Sequence, residues 1–129
     1  MLPLETVPPY AALLGFLYIA LTLRSVMARG TARRLIGPLE DERLNRRLRV
    51  HGNFAEYAPL ALLLLAFAEL RGASAAALHA ACVALVVGRC LHAWGVSQVP
   101  ETLRWRQAGM VLTLGAIATA AIRILASYA

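Results

Sequence analysis

Four long stretches nearly empty of charge constrain this chain more than any other feature: Thr6 to Leu23, Tyr57 to Ala68, Gly72 to Gly88 and Gln107 to Ile122. A helix needs roughly 20 mainly apolar residues to cross a bilayer, and about 17 suffice where charged side chains at its ends reach back to water. The second stretch is short alone. It becomes long enough only with Asn53 to Glu56 and Glu69 to Leu70 included, so its helix has to hold polar residues at membrane depth. Of the 129 residues, 60% are hydrophobic and 16% charged, whereas a soluble domain carries about 25% charge. The expected architecture is an all-α, four-transmembrane-helix bundle, a single membrane domain with spans near residues 6–27, 50–70, 73–94 and 106–126. The first span is not expected to be a cleaved leader, because Met1 to Pro9 lacks a basic residue and no small-residue cleavage site follows the apolar run.

The 13 basic and 7 acidic residues leave a net charge of +6, and every basic residue is Arg. Nucleic-acid binding is a poor reading, because the charge is interleaved with segments that a soluble domain of this size has no way to bury. The distribution instead gives a topology. The connection after the first span carries Arg24, Arg29, Arg33, Arg34, Arg43, Arg46, Arg47 and Arg49, and the connection after the third carries Arg104 and Arg106. By the positive-inside rule both are expected to be cytoplasmic, with both termini outside. The Ala- and Arg-rich, Lys-free usage suggests a bacterial inner membrane. Cys82 and Cys90 would lie about 12 Å apart on one helix, too far for a disulfide. His79 with Cys82, and Cys90 with His92, are incomplete ligand sets, and no metal is expected.

Pro8 and Pro9 mark the start of the first helix, and Gly30 and Gly37–Pro38 its end. Acidic Glu40, Asp41 and Glu42 suit the first turn of a second helix that runs to Leu70, longer than the membrane is thick. Gly72 and Ser74 form a tight turn, Gly95 to Pro100 ends helix three, and helix four begins near Glu101 or Leu103.

Helix two carries the specific pattern. At about 100° per residue, Arg46, Arg49, Asn53 and Glu56 share a stripe about 80° wide, which Tyr57 extends to about 100°. Ionisable side chains at that depth cost several kcal/mol unless they face the bundle interior and are paired. Glu56 neutralises at most one arginine, and Asn53 bridges without adding charge, so the surplus positive field suits a ligand with carboxylates. Arginine presents a rigid fork of donors for such a group. Singly, Arg46 and Arg49 would read as positive-inside anchors, but anchors need neither a common face nor a buried acid. Arg89 and His92, at i and i+3, lie at the same level on helix three, and Arg104 and Arg106 open helix four, where the helix dipole adds to their charge. Trp94 and Trp105 read as interfacial aromatics, Arg123 as an anchor, and His79 has no partner identifiable from sequence.

The run from Arg49 through Asn53, Glu56 and Tyr57 to Pro59 resembles the helix-two signature of the membrane-associated proteins in eicosanoid and glutathione metabolism, the MAPEG family. The four-span layout, Arg89 with His92, and Arg106-Gln107-Ala108-Gly109 are similar to that family as well. The resemblance covers nearly the whole chain. It implies a homotrimer, with glutathione bound between neighbouring subunits near the cytoplasmic face. It implies that Arg49, Asn53, Glu56, Tyr57, Arg89 and His92 contact glutathione, with Arg46 joining them. It also implies that Arg106 stabilises the thiolate, with Arg104 as its rival. Several eicosanoid synthases of the family have tyrosine where this chain has Val96, a departure that counts against a specific eicosanoid activity.

The leading expectation is therefore a glutathione-dependent transferase or peroxidase acting on lipophilic electrophiles dissolved in the bilayer. Its partners are its own copies, bilayer lipid and a lipophilic substrate; the thiol is glutathione or another small thiol. The alternative is a non-catalytic scaffold of the same fold that binds lipid or another anion. A small transporter is disfavoured, because the polar track stops at Leu60 and Leu63 instead of crossing the membrane.

Overall fold

A computed structural model describes residues 3–35 and 42–129. It contains α1 (Val7–Leu35), α2 (Glu42–Leu70), α3 (Ala75–Ser97) and α4 (Leu103–Ala126). All four helices are long and apolar enough to cross a membrane, and the chain is a four-helix membrane bundle. At 29 residues, α2 is about 43 Å long against a hydrocarbon core of about 30 Å, so its first turns extend beyond the apolar layer. The expected break at Gly30 does not occur, since α1 continues to Leu35. A helical glycine costs only about 1 kcal/mol, too little to stop a helix that its neighbours favour. Gly37–Pro38, Glu40 and Asp41 lie outside the described residues.

α3 and α4 share the most extensive contact, α2 packs on both, and α1 lies mainly against α2. Much of the core is small: Ala58, Ala61, Ala68, Ala81, Ala116 and Ala120 are buried, while Phe16, Leu63, Val111 and Leu125 point outward. Lipid tails are as apolar as leucine, so helices in a bilayer gain little by burying large side chains. They gain by close backbone approach. Gly88 and Gly109 provide it. A Cβ on Gly109 would stand 2.5 Å from the Gly88 carbonyl oxygen and 2.5 Å from the His92 nitrogen, both backbone atoms that have no side-chain freedom to retreat.

At the end of the bundle opposite Arg46 and Arg106, Glu69 is buried at the last turn of α2. Its Oε1 accepts the backbone N–H groups of Glu5 (2.9 Å) and Thr6 (2.5 Å), and its Oε2 accepts that of Val7 (2.9 Å). The carboxylate thus caps the otherwise unsatisfied start of α1 and ties it to α2. Gly72 takes the left-handed conformation (φ 82°) in the turn that follows, and Ser74 caps α3 by accepting the Ala77 N–H at 3.4 Å.

Gly109→Ala should separate α3 from α4 and destabilise the protein by about 1–3 kcal/mol, the usual range for overpacking. Gly15→Ala, where a Cβ meets nothing within 4 Å, should be neutral or slightly stabilising. Thermal unfolding of both variants in the same micelles checks the contrast.

Candidate functional site

The site is built around Arg89, which is 1% exposed in the middle of the bundle. Its Nε donates to Thr113 Oγ1 on α4 (2.9 Å), its Nη1 to Asn53 Oδ1 on α2 (2.8 Å), and its Nη2 to the Met110 sulfur (3.4 Å). The Tyr57 ring centroid lies 5.6 Å from the guanidinium carbon. Thr113 passes the chain of bonds on, donating to the Gly109 carbonyl at 2.8 Å. Arg89 is thereby satisfied by neutral groups from α2 and α4, and no acid pairs with it among the described residues. Its charge is left uncompensated inside the bundle.

Toward the arginine-rich end, a cavity of about 70 Å³ is lined by Arg49, Asn53, His92, Val96, Glu101 and Arg106. One wall is an ion-pair chain. Glu101 Oε2 accepts Arg46 Nη1 at 3.1 Å, and Glu101 Oε1 accepts Arg106 Nη1. Arg46 is braced from outside by Glu42, whose Oε1 accepts its Nε at 3.1 Å and its Nη2 at 2.6 Å. The hydrogen bond from Arg106, with the charges of Arg106 and Arg46, holds the Glu101 carboxyl below its usual range against the opposing effect of burial. Arg49 is exposed at the cavity rim and makes no hydrogen bond or ion pair among the described residues. Arg49 and Arg106 at the cavity, with Arg46 behind Glu101, therefore stand against the two acids Glu101 and Glu42, and the net positive field favours an anion.

The helix-two stripe is divided. Asn53 and Tyr57 are half-buried, and the Arg46 side chain is 15% exposed, while Arg49 and Glu56 face outward. The stripe is thus split between the packed and the open face of the single chain. A stripe about 100° wide straddles the boundary between the packed and open faces, and Arg49 and Glu56 occupy its outer edge. Glu56 does not pair with Arg49, and Asn53 bonds Arg89 instead of bridging the two arginines of its own helix. Of the two arginines opening α4, Arg106 lines the cavity and Arg104 is exposed outside it. Arg49 and Arg106 meet in one cavity of a single chain.

Sequence reasoning missed Glu101, which it took only as a possible start of α4. An acid one turn ahead of an arginine pair was the available signal. His79, without a partner in the sequence reading, accepts or donates a bond of 2.9 Å to the Tyr10 hydroxyl and joins α3 to α1. No group of His, Cys, Asp and Glu suited to a metal occurs among the described residues.

Fold and site together define a four-span membrane bundle with an arginine-walled cleft at one end. The profile of the MAPEG family matches residues 7–126, and the chain belongs to that family. It is 33% identical over 104 residues to the inner membrane protein YecN of Escherichia coli strain K12, covering 81% of this chain and 78% of that protein. The corresponding YecN of E. coli O6:H1 matches to the same extent. No solved structure matches.

The lowered proton affinity of Glu101 sets a pH dependence. A carboxyl that binds its proton less well when folded contributes stability above its ordinary value of 4.5, and loses that contribution as pH falls through the lower folded value. Wild type should therefore melt above Glu101→Gln at neutral pH, and the gap should close as the pH falls below 4.5. Parallel melting curves across that range measure it.

Proposed function

We propose that the chain is a glutathione-dependent transferase of the bilayer that conjugates lipophilic electrophiles, with glutathione held in the arginine-walled cleft. The convergence of Arg49 from α2 and Arg106 from α4 on one cavity with Asn53 and His92 carries this reading. At about 70 Å³, the cavity takes a carboxylate or a few waters, each about 30 Å³ in the liquid, and not a whole tripeptide. It would hold one end of the ligand, and the rest would extend toward Arg49 and Glu56 on the open face of α2. Arg106 would stabilise the thiolate, as a cation beside a thiol at a helix start does. The sulfur would then attack the electrophilic carbon, forming the C–S bond as the leaving group departs with its electron pair and the thiol proton passes to water. With a hydroperoxide, two glutathiones would supply the electrons and be released as the disulfide.

An exposed carboxylate at Glu56, about 21 Å along the helix from either end of α2, is expensive against lipid. Self-association that covers this face would remove the cost, which supports the homotrimer. The inner membrane is the proposed location, as for the E. coli relatives, which are inner membrane proteins by name, with the arginine-rich end in the cytoplasm and both termini opposite.

A second reading, an anion-binding scaffold without catalysis, draws on the engagement of Arg106 by Glu101. Titrating glutathione into protein in micelles separates the two. The transferase reading expects a thiolate absorbance band that Arg106→Ala lowers by about tenfold or more, in line with losing one preorganised charge, while Arg104→Ala keeps it. Binding without the band would favour the scaffold, and no binding at millimolar glutathione would reject the glutathione site.

A further inference from the structure

The seat between Arg46 and Arg106 already holds a carboxylate, and that carboxylate belongs to the chain. Glu101 lies on the non-helical connection between α3 and α4, and it gives one oxygen to each arginine. The two arginines do not depend on it equally. Arg46 keeps two bonds to Glu42 if Glu101 leaves, so its guanidinium stays aimed. Arg106 has Glu101 as its one side-chain partner among the described residues, and its side chain is 40% exposed. Moving Glu101 aside therefore opens a carboxylate-sized position with one cation fixed and the other released. A loop side chain bordering a cavity has room and water to move into.

Resting on the reading of the cleft as a glutathione site, we propose that Glu101 is a built-in competitor: its carboxylate occupies the Arg46–Arg106 seat, and an anionic ligand group binds there by displacing it. The device keeps an unliganded arginine cluster neutralised near the membrane, and it holds ligand affinity below what the arginines alone would give. The opposite role, a brace that presents Arg106 to the ligand, uses the same contact and predicts the reverse sign.

The test uses the full chain in micelles and two readouts. Phenylglyoxal modification of Arg106, mapped by peptide mass spectrometry without ligand, should rise several-fold in Glu101→Gln, with exposed Arg104 as the internal reference. Glutathione affinity measured by calorimetry should rise by about tenfold, and Glu42→Gln, which removes a charge from the outer side of Arg46, should raise it less. Glu101→Asp, one methylene shorter, is too short to span both arginines; it should show intermediate reactivity, and it serves if the glutamine variant fails to fold. Unchanged Arg106 reactivity, weaker glutathione binding in Glu101→Gln, or equal gains from Glu42→Gln would each overturn the competitor. Raised Arg106 reactivity with no glutathione binding by either protein would reject the glutathione reading and leave Glu101 as the competitor for a different anion.

Discussion

A guanidinium in a low-dielectric interior has to be hydrogen-bonded or it destabilises everything around it, and Arg89 meets that demand with Thr113, Asn53 and Met110 on the two flanking helices. Because those partners sit on α2 and α4, satisfying Arg89 fixes the rotation and height of both helices relative to α3. The close seating of α3 on α4 through Gly88 and Gly109 is part of the same device: with a wider gap, Thr113, held on the Gly109 carbonyl of its own helix, would not reach Arg89. Asn53 serves two purposes. Its oxygen holds Arg89, and the residue also lines the cavity above. The cavity floor is therefore tied to the core beneath it.

The two ends of the bundle treat charge in opposite ways. At one end Glu69 is buried and its carboxylate is fully employed by three backbone N–H groups, so nothing remains to attract a ligand. At the other, arginines outnumber acids, Glu101 is shared between two of them, and Arg49 has no ion-pair partner among the described residues. Local charge surplus, and not burial or cavity size, sets this end apart. The contrast also explains why Glu69 and Glu101 differ in meaning although both are acids beside helix ends. One closes a structural account, and the other leaves it open.

The spans were legible because hydrocarbon thickness translates directly into run length, and α3 ends and α4 begins close to where Gly95–Pro100 and Leu103 suggest. The Gly30 break failed for a quantitative reason, since one glycine is a weak stop without a proline beside it. The helix-two stripe was legible as a stripe but not as a surface. Wheel angles place residues relative to one another, and only packing decides where the boundary between α3, α4 and open space falls across them. Glu101 and the Tyr10–His79 bond were illegible because each depends on how a loop or a distant helix is placed, which periodicity does not encode. The family resemblance supplied candidates for the site, while the roles that geometry separates, Arg106 at the cavity and Arg89 beneath it, are not distinguished by motif spacing.

The divided stripe bears on where a reaction could occur. Arg46, Asn53 and Tyr57 turn inward, whereas Arg49 and Glu56 look out from the same helix, and Leu60, Leu63 and Phe67 continue that outward face. On the proposed reading, a ligand anchored at the arginine wall would extend along a surface that changes from charged to apolar within a few turns. Its thiolate would stay beside Arg106 at the arginine wall, and the adjoining apolar surface would bring up a lipophilic electrophile already concentrated in the hydrocarbon. A site wholly inside the four helices would bind the thiol compound but exclude the electrophile, and one wholly outside would lose the field of Arg89 and Arg106. Placing the boundary of the packed face through the middle of the stripe reconciles the two demands.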